Sequence, residues 1–101
     1  MTIRGVHHVA ISTPSIEGLL PFYRDLVGMH EVMDFGRQAG SSEIDELVGL
    51  RNSAARQRML KLGNLCIELF EYSSPTPAPM RSDRPVCDHG HTHICFDVVD
   101  I

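Results

Sequence analysis

Two histidines and one glutamate, His8, Glu68 and His93, are the residues of this sequence best suited to chemistry. Each lies in a run of β-branched and other apolar residues that predicts a β-strand. Side chains alternate between the two faces of a strand, so each of the three falls opposite the apolar residues of its own strand. If helices cover the apolar faces, two imidazoles and one carboxylate project together from the other face of the sheet.

These donor types suit a divalent transition metal. Imidazole nitrogen binds zinc, nickel, cobalt, manganese and iron, and a carboxylate adds negative charge. An ion with open coordination positions acts as a Lewis acid or generates a nucleophile from water. The sequence therefore predicts a divalent metal ion held by His8, Glu68 and His93, without distinguishing among these metals. The alternative is that each is an ordinary core or solvent-facing residue of its strand.

An internal repeat relates the two histidines. The segment that begins at Gly5 reads GVHHVAIST, and the segment that begins at Gly90 reads GHTHICFDV. When Gly5 is placed on Gly90, His8 falls on His93 and an apolar run follows each histidine. The match indicates one structural unit that is started twice, although coincidence between two short strand-like segments would produce the same pattern.

The elements that position these residues follow in the order strand-helix-strand-strand-strand. The predicted strands cover residues 6–13, 29–35, 54–62 and 65–72. A helix is predicted from the N-cap Ser15 to about Val27. Pro21 removes a backbone hydrogen bond, so we expect a loose first turn and a regular helix from about Leu20. Residues 36–52 form a long polar connection that carries a short amphipathic helix over 42–48.

This order of elements predicts an α+β fold class. It also divides the chain into three parts. Residues 1–72 are predicted to form a first βαβββ module. Residues 73–89, which are crowded with prolines, are predicted to form an extended linker. Residues 90–101 are predicted to be the first strand of an incomplete second module.

Other polar residues are weaker candidates for metal ligands or substrate contacts. By strand parity His7 and Glu71 lie on the helix-facing side, so neither is predicted as a ligand, and Glu71 is expected to be solvated. Arg56 and Arg58 on the third strand either receive an anionic substrate or form an exposed strand face.

The composition indicates which classes of binding partner and which cellular compartment to expect. The chain has 101 residues and a formal net charge of −4, which argues against nucleic acid or an anionic membrane as partner. No apolar run reaches the length of a transmembrane helix, and the N-terminus leads into a strand rather than a signal peptide. We therefore expect a cytoplasmic protein. The three cysteines include no CxxC pair, which favours reduced thiols over disulfides.

The ordered succession of motifs resembles the vicinal oxygen chelate superfamily, which contains glyoxalases, bleomycin resistance proteins and extradiol dioxygenases. The similar segments are residues 5–11, 22–29, 67–71 and 90–101. The resemblance implies two βαβββ modules that curl edge to edge into an open barrel around a metal. In the metal-dependent isomerase and lyase branches, the first and fourth strands of each module supply the ligands. That pattern makes His8, Glu68 and His93 the ligands here.

The same resemblance implies that the site is incomplete within this chain. The fourth ligand of the family, usually a glutamate that can also serve as base, lies in the last strand of the second module. This sequence ends before that strand, so either it is a fragment or a partner chain completes the site. A homodimer is the expected assembly, and no catalytic base is assigned.

Function is implied at the level of the reaction class. The resemblance points to a lyase, isomerase or epimerase similar to glyoxalase I or methylmalonyl-CoA epimerase. There the metal chelates oxygens of a small-molecule substrate and stabilises an enediolate or enolate. Glu68 in the fourth strand favours this branch over an extradiol dioxygenase, which takes its glutamate from the final strand. A non-catalytic, drug-sequestering relative is the alternative outside the enzymes.

Overall fold

The computed structural model describes residues 1–100 as a mixed α+β fold. The elements in chain order are β1 (His8–Ser12), α1 (Ile16–Leu20), a π-helical turn (Pro21–Leu26), β2 (His30–Arg37), α2 (Ser42–Val48), β3 (Ala54–Leu62) and β4 (Leu65–Ser74). This order confirms the predicted α+β fold class and the βαβββ succession. Within residues 1–100, no helix combines the length and the apolar character that crossing a membrane requires.

The four strands form one sheet in the order β1-β4-β3-β2. Strand β1 runs parallel to β4, whereas β2, β3 and β4 are successively antiparallel. A two-residue turn joins β3 to β4, and Gly63 at its first position has a φ of 55°, which a tight hairpin favours. Strands β4 and β3 are the two interior strands, and β4 carries the longer run of buried residues.

The core lies on the helix-covered face of the sheet. Its buried members are Ile16, Leu20, Met29, Leu60, Ile67 and Leu69. Helix α1 provides the first two, and alternate residues of β3 and β4 provide the last three. Burying each large aliphatic side chain contributes about 1.5–3 kcal/mol. This packing assigns one face of the sheet to the core and leaves the other face for the site.

The sequence predicted a loose first turn and a regular helix from about Leu20, and this is wrong. The regular α-helix comes before Pro21, and the irregular turn comes after it. Ser15 caps the first turn, and its Oγ accepts the N–H of Gly18 at 3.0 Å. From Pro21 onward the helix widens, and the N–H of Val27 donates to the carbonyl of Phe22, five residues earlier, at 2.9 Å. The well-capped first turn holds its geometry, so the proline is accommodated in the wider turn that follows.

The long connection between β2 and β3 is tied to the end of the sheet. Its helix α2 covers the predicted residues, and Gly49 follows it with a φ of 70°. The Asp45 carboxylate accepts the backbone N–H groups of Asn52 at 2.8 Å and Ser53 at 2.9 Å. Ser53 is fully buried, and its hydroxyl bonds to Asp45 and to the Arg37 guanidinium. These contacts attach the connection to the ends of β2 and β3.

The C-terminal part of the described chain has no regular secondary structure. Residues 75–100 form neither helix nor strand, including the segment 90–98 that is predicted to be a strand. A strand is stabilised by hydrogen bonds to a neighbouring strand, and within residues 1–100 no backbone hydrogen bond joins this segment to a strand. The side chain of Ile94 nevertheless packs against the core. The assignment of this segment to a second module stays a prediction.

Candidate metal centre

The candidate site lies on the neighbouring parallel strands β1 and β4. Their register places His8 opposite Cys66 and Ala10 opposite Glu68, so the side chains of His8 and Glu68 share a face. This is the face turned away from α1, as the sequence predicts. The Nε2 atom of His8 lies 3.2 Å from Oε2 of Glu68. The structure therefore brings together two of the three predicted ligands.

Glu68 is a largely buried carboxylate. The residue is 8% exposed because β4 is covered by strands on both sides. Its neighbour His8 is more open, with 39% of the side chain exposed. A buried carboxylate needs a positively charged or hydrogen-bonding partner, since losing its hydration is costly. Glu68 thus places a carboxyl group beside an imidazole that remains accessible from solvent.

The separation of the two ligand atoms fits coordination of one ion. Two atoms that each lie about 2.0–2.2 Å from an ion, at angles of about 90–110°, are about 2.8–3.6 Å apart. The observed 3.2 Å lies within this range. Within the described residues, no cluster of three or more histidine, cysteine, aspartate or glutamate side chains forms around the pair. An ion held at this pair would therefore need further ligands from outside the residues that the structure describes.

His93 does not join this pair in residues 1–100 of a single chain. Its side chain is exposed, and its Nδ1 lies 3.0 Å from the hydroxyl of Thr92. The residues around it form no strand, so no β-ladder holds it in register with β1 or β4. Its role as a ligand stays a prediction.

His7 is a neighbour of the site that parity alone did not identify. Strand β1 begins at His8, so alternation along the strand does not determine where the side chain of His7 lies. Its Nδ1 atom lies 2.9 Å from Nδ1 of His8, and the two rings meet edge to face at 88°. The adjacent His7-His8 pair in the sequence was the available signal for this contact.

Apolar side chains surround Glu68 on the open face of the sheet. Met59 on β3 is directly opposite Glu68, and Met33 on β2 is opposite Met59. The ring of Phe70 stacks on that of Tyr72, with centroids 5.7 Å apart. Because residues two apart share a face, these two rings lie on the same side as Glu68. An apolar floor beside a carboxylate and an imidazole is typical of a small-molecule site.

The two arginines of β3 belong to the opposite face. Arg58 pairs with Glu31 and with Asp34, each at 2.9 Å, and only 17% of its side chain is exposed. Arg56 pairs with Glu17 of α1 at 2.7 Å. The hydrogen bond from Arg56 lowers the pKa of Glu17 below its ordinary value. Both guanidinium groups are thus engaged on the helix side, which favours a structural role over receipt of an anionic substrate.

The fold and this pair define a small α+β module that presents an imidazole and a carboxylate on its uncovered face. The family described as the Glyoxalase/Bleomycin resistance protein/Dioxygenase superfamily matches residues 5–101. The chain belongs to this superfamily. The match confirms the resemblance that the motifs of the sequence indicated.

Two known proteins are similar over most of the chain. A 2-epi-5-epi-valiolone epimerase of an Actinomyces species is 29% identical over 99 residues, which make up 95% of this chain and 52% of the epimerase. The crystal structure of a glyoxalase family protein from Bacillus cereus superposes with a TM-score of 0.78 at 17% identity, over 90% of this chain and 60% of that one. The chain therefore spans about half the length of the curated relative it matches.

Proposed function

We propose that this chain is a module of a metal-dependent epimerase of the vicinal oxygen chelate type, acting on a small-molecule ketone. The observation that carries the proposal is the 3.2 Å approach of His8 Nε2 to Glu68 Oε2 on the open face of the sheet. The similarity to a 2-epi-5-epi-valiolone epimerase supports epimerisation within the broader lyase and isomerase class.

His8 and Glu68 would hold the divalent ion in this module, and His93 is proposed as a third ligand. When bound, the ion supplies positive charge that offsets negative charge developing on a substrate oxygen. Nitrogen and carboxylate donors suit zinc, nickel, cobalt, manganese and iron alike, so the donor set does not select one metal. The depth of Glu68 in the sheet keeps its carboxylate oriented toward His8.

The remaining residues of the open face would bind the substrate. Met59 and Met33 offer flexible apolar surface next to Glu68, and the stacked rings of Phe70 and Tyr72 offer a flat one. Epimerisation moves a proton from and to a carbon beside a carbonyl, and this proceeds faster where bulk water is excluded. An apolar floor contributes to that exclusion.

We also propose that the chain works as a cytoplasmic homodimer. Strands β1 and β2 lie at the two edges of the sheet, where backbone groups are available to another strand. The open face carries exposed apolar side chains such as Met33, at 37%, and Phe35, at 51%. A second copy placed over this face would add ligands and cover the site. Light scattering coupled to size-exclusion chromatography should report twice the chain mass, and a monomer at micromolar concentration would contradict the dimer.

The metal site is tested by equilibrium dialysis of the purified protein against Zn²⁺, Co²⁺ and Mn²⁺, followed by metal analysis. The wild type should bind an equimolar amount of at least one ion. His8→Ala and Glu68→Gln should each lose it, and His93→Ala should weaken it. His89→Ala, which alters another exposed histidine, is the matched control and should bind as the wild type does. Full binding by both His8→Ala and Glu68→Gln would refute the site.

The reaction class is tested with the metal-loaded protein and 2-epi-5-epi-valiolone in D₂O. Proton NMR should show deuterium entering at the carbon beside the carbonyl, and Glu68→Gln should abolish this exchange. Oxygen uptake with catechols in place of exchange would instead indicate a dioxygenase. Tight binding of small molecules with neither reaction would indicate a sequestering protein.

A further inference from the structure

An imidazole binds a metal through a ring nitrogen that carries no proton. In neutral histidine one nitrogen bears the proton and the other bears a lone pair. Which nitrogen is free is determined by the hydrogen bond that the other one makes. The partner of the second nitrogen of His8 therefore matters as much as the 3.2 Å approach of the first to Glu68.

Both nitrogens of His8 have a neighbour in the structure. Nε2 faces Glu68, and Nδ1 lies 2.9 Å from Nδ1 of His7. A hydrogen bond between two imidazole nitrogens requires that one ring donates and the other accepts. The backbone holds this arrangement, because the carbonyl of His7 accepts the N–H of Cys66 on β4 at 3.1 Å. His7 is thus anchored to the same strand that carries Glu68.

We propose that His7 is a positioning residue for His8, with a hydrogen bond between the two Nδ1 atoms that reverses its direction when a metal binds. This inference rests on the proposed function only in that His8 is a metal ligand. In the metal-free protein, Nε2–H of His8 donates to the Glu68 carboxylate, and Nδ1–H of His7 donates to Nδ1 of His8.

Metal binding exchanges the tautomers of both rings without a net change in protons. His8 releases its Nε2 proton to solvent, so the lone pair on this nitrogen becomes available to the ion. The proton on Nδ1 of His7 moves to Nδ1 of His8, and His7 takes a proton from solvent on its own Nε2. Both rings are neutral before and after, and neither ring has to rotate. The pair thereby prepares His8 as a ligand without placing a charge on either ring.

Nitrogen-15 NMR of histidine-labelled protein at pH 8 distinguishes the two tautomers of each ring and tests the pair directly. In the metal-free wild type, His7 should be found as the Nδ1–H tautomer and His8 as the Nε2–H tautomer. His8→Leu should release His7 to the Nε2–H form that predominates in free side chains. Zn²⁺ should convert the wild-type pair to Nδ1–H on His8 and Nε2–H on His7.

Zinc affinity, measured by competition with a chromogenic chelator, provides the second readout. His7→Leu can neither donate nor accept, so it should weaken Zn²⁺ binding about 10- to 100-fold. His7→Asn retains a donor and an acceptor and should restore most of that affinity. Unchanged affinity in His7→Leu, or an Nε2–H tautomer of His7 in the metal-free wild type, would overturn the proposal. A wild type that shows the metal-free tautomers and binds no metal would contradict the metal site and leave the His7–His8 pair confirmed.

Discussion

The Oε2 atom of Glu71 accepts the backbone N–H of Ile16 at 2.9 Å and joins the start of α1 to strand β4. The first N–H groups of a helix have no partner within the helix, so a carboxylate at this point satisfies one of them. Glu71 was expected to be solvated. Its side chain is 29% exposed, but this carboxylate oxygen bonds to the helix. The contact fixes the helix that covers the core on the strand that also carries Glu68.

Replacement of Glu71 by alanine should therefore destabilise the protein by about 1–2 kcal/mol, the usual cost of losing a helix N-terminal acceptor. The measurement is the free energy of unfolding from urea titration at pH 7. Glu71→Gln retains an acceptor oxygen, so its free energy of unfolding should fall by less than that of Glu71→Ala. Glu46→Ala, on the exposed side of α2, is the matched control and should change stability little. Equal losses for Glu71→Ala and Glu46→Ala would show that the contact contributes nothing.

Leu69 should be among the residues most sensitive to truncation. Its side chain is fully buried between α1 and the sheet. Leu69→Ala should reduce the free energy of unfolding by about 2–5 kcal/mol, because it removes buried apolar area and leaves a cavity. Leu47→Ala makes the same chemical change at a residue that is 81% exposed, and it should shift stability by less than about 0.5 kcal/mol. Similar losses in the two variants would contradict the placement of the core.

Asp45 should make stability depend on acid pH. The Ser53 hydroxyl, the backbone N–H groups of Ser53 and Asn52, and the Arg37 guanidinium lower the pKa of Asp45 below its ordinary 3.8. A carboxyl group whose pKa is lower in the folded state stabilises the fold above its unfolded pKa. That contribution is lost as the pH falls from about 3.8 through the lower folded value.

The test is the melting temperature of wild type and Asp45→Asn between pH 7 and pH 2. The variant should melt at a lower temperature at pH 7, and the difference should shrink below pH 4. Glu46→Gln removes an exposed carboxylate from the same helix and serves as the control. A difference for Asp45→Asn that stays constant down to pH 2 would show that ionised Asp45 does not stabilise the connection.

Local patterns in the sequence determined most of the helices and strands, and also the face of the sheet that carries the candidate site. The residues of α2 and β3 match their predicted ranges, because apolar spacing together with Ser41 and Gly49 at the helix ends are signals carried by neighbouring residues. Strand parity likewise placed His8 and Glu68 on the face away from the helix. These features depend only on residues a few positions apart.

The tertiary structure decided which distant residues meet. It made β1 the parallel neighbour of β4, and this pairing brings His8 to Glu68 across 60 positions of the chain. It also brought Glu71, which strand parity places on the helix-facing side, to the backbone N–H of Ile16 at the start of α1. The contact between the adjacent rings of His7 and His8 is one that strand parity does not encode. The segment around His93 has the alternation of a strand and yet forms none within residues 1–100, because a strand exists only where another strand bonds to it.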